Sequence, residues 1–160
     1  MAKTERLGLN MRIAIGADHG GFLLKQKLIK YLELKGFVVA DVGAHSDMPC
    51  DYPVYGAKVA RLISDREFDR GILICKSGLG MSMTANKFKG VRAALCWDAA
   101  GARSSREHND ANVLCLAAKK TAFKPAKKIL DAWLSTDFTG GRHLRRVKQI
   151  TKFEDEACRR

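Results

Sequence analysis

The sequence predicts a single α/β domain built in three layers, with helices on both faces of a five-stranded parallel sheet. Three observations lead there. Five short apolar runs are separated by longer stretches of helical periodicity, glycine-rich turns stand where a run gives way to a helix, and 160 residues suit one domain with no internal repeat or linker.

The first run, RIAIGA at residues 12–17, reads as a buried strand. A helix follows over about 21–35, where Phe22, Leu23, Leu28, Ile29 and Leu32 make an apolar stripe between charged residues, and Gly36 ends it. Residues 37–42 form the second strand, 43–53 a polar loop with two prolines, and 55–64 a second helix. The third strand, GILIC at 71–75, leads through 76–80 into a helix ending near 87. Residues 91–96 and 112–117 are the fourth and fifth strands, with a helix near 99–107 between them. A helix at 123–135 and a C-terminal helix opening after Gly140-Gly141 complete a Rossmann-like pattern over 11–160. Residues 1–10 read as a short tail, with Met11 as an alternative start.

Composition excludes several classes. With 46% hydrophobic and 29% charged residues and only 3 prolines, the chain is neither disordered nor low-complexity. A chain of this size buries roughly 70% of its unfolded surface, so its core needs no disulfide or metal. No stretch reaches the roughly 18 apolar residues of a membrane span, and the first ten residues lack the apolar run of a signal peptide. The five cysteines, at 50, 75, 96, 115 and 158, contain no CxxC pair, which argues against structural zinc and against a disulfide framework. A reducing cytoplasm is the expected compartment.

The formal charge of +12 points to an anionic partner. Residues 1–118 hold 17 basic and 12 acidic side chains, whereas residues 119–160 hold 12 and 5, so the excess leans towards the C-terminus. No aromatic stacking strip or nucleic-acid-binding motif accompanies it, and a nucleic-acid partner is not expected.

In doubly wound sheets ligands bind beyond the carboxyl ends of the strands, which directs attention to the turns after the first and third strands, to Asp98 and to the segment just before the fifth strand. In Asp18-His19-Gly20-Gly21 an acid and an imidazole precede two glycines that let backbone approach a ligand; the plainer alternative is an Asp helix cap. In Cys75-Lys76-Ser77-Gly78-Leu79-Gly80 a cysteine ends a strand and faces a helix start, whose positive field favours a thiolate nucleophile or carbon-acid base. Amides of residues 77–80 are candidate oxyanion donors, and a small buried cysteine is the alternative. The third-glycine position of a dinucleotide fingerprint is Met83 and no G-K-[ST] follows, so neither a nicotinamide site nor a P-loop is expected.

Two further stretches carry candidate groups. His108 and Asn109, in a polar segment before the fifth strand, offer an acid/base and an oxygen-binding amide, although helix-to-strand loops usually lie at the opposite sheet edge. Only a bent return or a neighbouring subunit would bring them to the other turns. Arg142 and Arg146, four apart at the start of the final helix, share a face that can grip a phosphate; a solvated basic helix is the alternative.

Taken together, IGADHGG, DYP at 51–53, GILICKSGLGMSMTANK, GVRAALC, SREHNDANVL and GGRHLRRV resemble the type B ribose-5-phosphate isomerases, in order and spacing from about Met11 to Glu154. The related galactose-6-phosphate and allose-6-phosphate isomerases share that fold. The resemblance implies a metal-free, cofactor-free aldose–ketose isomerase of the non-oxidative pentose phosphate pathway, interconverting ribose 5-phosphate and ribulose 5-phosphate through a cis-enediolate. It assigns the base to Cys75, enediolate stabilisation to Ser77 with the amides of Gly78, Leu79 and Gly80, and ring opening to His108. Asp18 and Tyr52 would line the pocket, Asn109 would bind sugar oxygens, and Arg142, Arg146 and His19 would bind phosphate. It also implies homodimers, sometimes paired into tetramers, that share active sites. Lys76 departs from the family pattern, which commonly has a small residue after the cysteine; it is expected as surface charge, the alternative being a side chain that enters the pocket to lower the pKa of Cys75 or to contact the sugar. A six-carbon sugar phosphate is the alternative substrate.

Overall fold

The computed structural model describes residues 11–157; the expected tail at 1–10 and Cys158 lie outside them. Strands β1 (Arg12–Ala17), β2 (Val38–Gly43), β3 (Arg70–Cys75), β4 (Ala93–Leu95) and β5 (Val113–Ala117) alternate with helices α1 (Phe22–Leu34), α2 (Tyr52–Ser64), α3 (Leu79–Ala85), α4 (Ala99–Asn109), α5 (Phe123–Ser135) and α6 (Gly141–Ala157). The sheet order is β2-β1-β3-β5-β4, and every neighbouring pair is parallel.

Strand side chains alternate between faces, and the apolar runs fill both. Ile13, Ile15, Ile72, Ile74, Leu114 and Leu116 pack under α1 and α5, together with Leu28, Leu32, Ile129, Leu130 and Trp133. Ala14, Leu73, Cys75, Val113 and Cys115 face α2 and α3, against Val59, Ile63, Met81 and Ala85. Each fully buried Leu or Ile contributes about 1.5–3 kcal/mol, so these two layers supply most of the driving force for folding. The outer helix α6 buries only Val147 and rests on α4.

Polar contacts tie the layers where apolar packing stops. Lys25, with no exposed side-chain surface, is paired with Asp41 at the end of β2. The Tyr31 hydroxyl and the Lys35 ammonium both donate to Asp131, joining α1 to α5 at 2.6 and 2.7 Å. At the outer edge of the sheet the Asn86 amide donates to the Ala93 carbonyl and accepts the Ala93 N–H, each at 2.9 Å.

The boundaries depart from expectation in three places. Helix α2 starts at Tyr52, not 55, because Pro53 is tolerated in a first turn whose N–H groups have no helical partner. Strand β4 is three residues long because the Arg92 N–H is taken by the Asn112 side chain and pairing begins only at Ala93. Helix α4 runs on to Asn109 and is closed by Asp110 in the left-handed region, where the carboxylate accepts from Arg92 and Arg106. His108 and Asn109 therefore lie on the last turn of a helix and not in a loop.

Candidate active site

From β1 the chain moves to one side to form β2 and to the other to form β3, so the β1/β3 carboxyl ends form the topological switch point, where a crevice opens. Ala17 pairs with Ile74, which sets Asp18 beside Cys75 at its two walls. The Asp18 N–H donates to the Ile74 carbonyl at 3.2 Å. Asp18 is 6% exposed and its Oδ1 accepts the Gly21 N–H at 3.1 Å, which closes the turn before α1; the N-cap residue of α1 is Gly21, with no side-chain cap, and the Asp18 Oδ2 has no hydrogen bond among the described residues. A Cβ on Gly21 would stand 2.7 Å from the Ile74 carbonyl carbon, so only glycine lets this turn lie on the end of β3.

On the other wall, buried Cys75 accepts the Gly78 N–H at 3.1 Å on its sulfur. Gly78 has a φ of 75°, which turns that amide back onto the thiol. The Ser77 hydroxyl oxygen accepts the Leu79 N–H at 3.3 Å. Two of the four candidate oxyanion amides are thus already engaged, one of them by Cys75 itself. Tyr52, at the start of α2, lays its ring on Gly80: a Cβ there would overlap the ring and stand 2.9 Å from the hydroxyl oxygen.

His19 is half-buried and latched by a residue that sequence reasoning missed. Its N–H donates to the Cys50 sulfur at 3.2 Å, and its Nδ1 lies 3.2 Å from both the backbone nitrogen and the carbonyl oxygen of Cys50. No local pattern marks a contact between residues 31 positions apart; the only signal was that Cys50 adjoins the DYP motif. Nearby, partial desolvation, then the neighbouring Cys50, push the Tyr55 hydroxyl up. Beneath the site, full burial drives the Cys115 thiol far above its ordinary range, leaving it inert as a packed side chain.

The second group of candidates sits elsewhere. His108 and Asn109 are exposed on the last turn of α4, close to where β5 begins. The His108 ring stacks on His143 of α6, which carries Arg142 and Arg146, both exposed. Thr139 holds this corner together, its N–H and hydroxyl both donating to the Glu107 carbonyl. Cys75 pairs with Ala117 at one end of β5, while Gly71 pairs with Val113 at the other. Four residues of strand separate the two ends by about 13 Å, so one chain holds two half-sites at opposite sheet edges.

Comparisons with known proteins agree with this architecture. Residues 13–150 match the family described as Ribose/Galactose Isomerase. The chain is 45% identical over 143 residues to ribose-5-phosphate isomerase B of Escherichia coli, covering 89% of this chain and 96% of that one. Ribose-5-phosphate isomerase B of Clostridium thermocellum superimposes with a TM-score of 0.91 at 46% identity, over 92% of this chain and 99% of the other. The Mycoplasma genitalium enzyme, solved with bound ribulose-5-phosphate, gives a TM-score of 0.88 at 40% identity over 91% and 97%. With its parallel five-stranded sheet, its switch-point cysteine and this near full-length likeness, the chain belongs to the ribose/galactose isomerase family.

Proposed function

We propose that the protein is an aldose–ketose isomerase that interconverts D-ribose 5-phosphate and D-ribulose 5-phosphate, with residues 11–160 as its catalytic domain. The observation that carries this is Cys75 beside Asp18 at the β1/β3 crevice, its sulfur accepting the Gly78 N–H. The Gly78 N–H is thus aimed at the sulfur that would take a proton from carbon. The Cys75 thiolate removes the C2 proton of the open aldose, leaving a cis-enediolate with its charge on O1; the O2 hydroxyl proton passes to O1, and the thiol returns the carbon-bound proton to C1 as the C2 carbonyl forms. The Ser77 hydroxyl and the amides of Ser77 and Gly80, the two of the turn not already engaged, would meet the charge that develops on the enediolate oxygens.

Ring opening by His108 and phosphate binding by Arg142 and Arg146 need the opposite half-site, which a second copy supplies in a homodimer. Asn109 would travel with His108 to bind sugar oxygens, and His19 would meet the phosphate from the Cys75 side. Exposed apolar side chains support such pairing: Leu79, Met83, Trp97 and Val54 surround the crevice end, and Leu144, Ile150 and Phe153 lie on α6. No helix among the described residues is long and apolar enough to cross a membrane, and Cys50, Cys75, Cys96 and Cys115 are free thiols, which suits a reducing cytoplasm.

Ribulose formation from ribose 5-phosphate, measured beside the corresponding ketose formation from allose 6-phosphate, tests the assignment. A higher kcat/KM for ribose 5-phosphate is expected; a clear preference for the six-carbon substrate overturns the pentose assignment, and no turnover of either overturns the reaction class.

A further inference from the structure

Lys76 directly follows Cys75, and its side chain does not extend freely into water. Its stem runs across the bare face of Gly20: a Cβ on that glycine would overlap the Lys76 Cγ and stand 3.1 Å from its Cε. The Asp18 Oδ1 lies 3.3 Å from the same point, so the stem, Asp18 and the β1–α1 turn meet over one glycine. The side chain thus bridges the two walls of the crevice. Its backbone is fixed as well, since the Lys76 carbonyl accepts the Lys119 N–H at 3.1 Å beyond the end of β5. Lys76 remains exposed and forms no ion pair among the described residues, although Asp18 is close by. A lysine held by its stem, with its ammonium unneutralised beside a site for an anion, is pre-organised to bind one.

We propose that Lys76 is a substrate-binding residue whose ammonium holds the phosphorylated sugar over the β1/β3 crevice. This rests on the sugar-phosphate isomerase assignment above and adds a cation from the same chain as Cys75, independent of Arg142 and Arg146. Gly20 is its seat: the absence of a side chain there gives the lysine stem a place to lie. The charge acts on binding, not on the proton transfer, because Gly78 already provides the donor to the sulfur.

The test uses ribitol 5-phosphate, which has no carbonyl and cannot isomerise, titrated calorimetrically into the wild type, Lys76→Met and Lys76→Arg, with steady-state kinetics on ribose 5-phosphate alongside. Lys76→Met keeps an unbranched apolar stem and removes the charge; it is expected to weaken ribitol 5-phosphate about fivefold to tenfold and to raise KM similarly, with kcat within about twofold. Lys76→Arg is expected to restore binding to within about twofold of the wild type. Binding to Lys76→Met within twofold of the wild type overturns the proposal, as does a loss confined to kcat. A wild type that binds ribitol 5-phosphate without isomerising ribose 5-phosphate sinks the ribose 5-phosphate assignment while the Met and Arg variants still decide the role of Lys76. A wild type that binds no ribitol 5-phosphate overturns both.

Discussion

His143 stacks face to face on His108, ring centroids 4.3 Å apart and planes 13° from parallel, so the first turn of α6 sits on the last turn of α4. Partial desolvation, then the charges of His108, Arg142 and Arg146, hold the His143 imidazole below its ordinary value of 6.5. The folded state therefore prefers neutral His143, and the stability linked to it is present above pH 6.5 and lost as pH falls through the lower folded midpoint. An NMR titration is expected to place His143 below 6.5, and Arg142→Ala or Arg146→Ala to raise it. A midpoint at or above 6.5 in the wild type would count against this electrostatic cluster.

Cys75→Ala is expected to lower kcat by about 100-fold to 10,000-fold, the range for removing a positioned acid/base. The fold should survive, because the thiol is small and its loss opens little space; the thermal midpoint reports on that. Full activity in this variant would remove Cys75 as the base.

Two half-sites on opposite sheet edges make a complementation prediction. Cys75→Ala and His108→Ala homodimers should each be severely impaired, but random re-pairing of the two gives half the dimers one intact site, about a quarter of wild-type activity. If one chain supplied the whole site, mixing would restore nothing.

Arg142→Ala should raise KM for ribose 5-phosphate by roughly tenfold or more, as expected for a charged hydrogen-bonding partner of phosphate. Turnover of unphosphorylated ribose should change little. Equal losses on both sugars would argue against a phosphate contact.

Asp41→Ala should cost about 3 kcal/mol by denaturant unfolding, at the lower end for a broken buried pair because Asp41 keeps some solvent contact while Lys25 has none. Burial pushes the Asp41 carboxyl up, but Lys25, the Gly43 N–H and His45 more than offset this and hold it below 3.8. Its contribution is therefore present above pH 3.8 and lost as pH falls through the folded midpoint. A variant that unfolds at the wild-type denaturant midpoint would show that Lys25 finds another partner.

Much of this was legible because it is written locally. Apolar runs with glycine-rich turns located all five strands, and the parallel order followed from the intervening helices. The placement of Asp18 and Cys75 at strand ends was equally visible. What was hidden depends on distant contacts: Cys50 latching His19, Tyr52 lying on Gly80, and the Lys76 stem seated on Gly20 leave no periodic trace. The helix boundary at His108 was missed for another reason. The segment around it is polar, and the closure at Asp110 depends on two arginines, one of them 18 residues away.

The amide of Asn86 has a wider consequence. By occupying both outward-facing backbone groups of Ala93, it ends the hydrogen-bonding template that an edge strand offers to other chains. With β4 only three residues long, too little open backbone remains there to recruit a foreign strand. That edge offers little to β-augmentation or fibril-type stacking, and the longer template lies on the opposite side of the sheet, where the edge strand β2 runs for six residues.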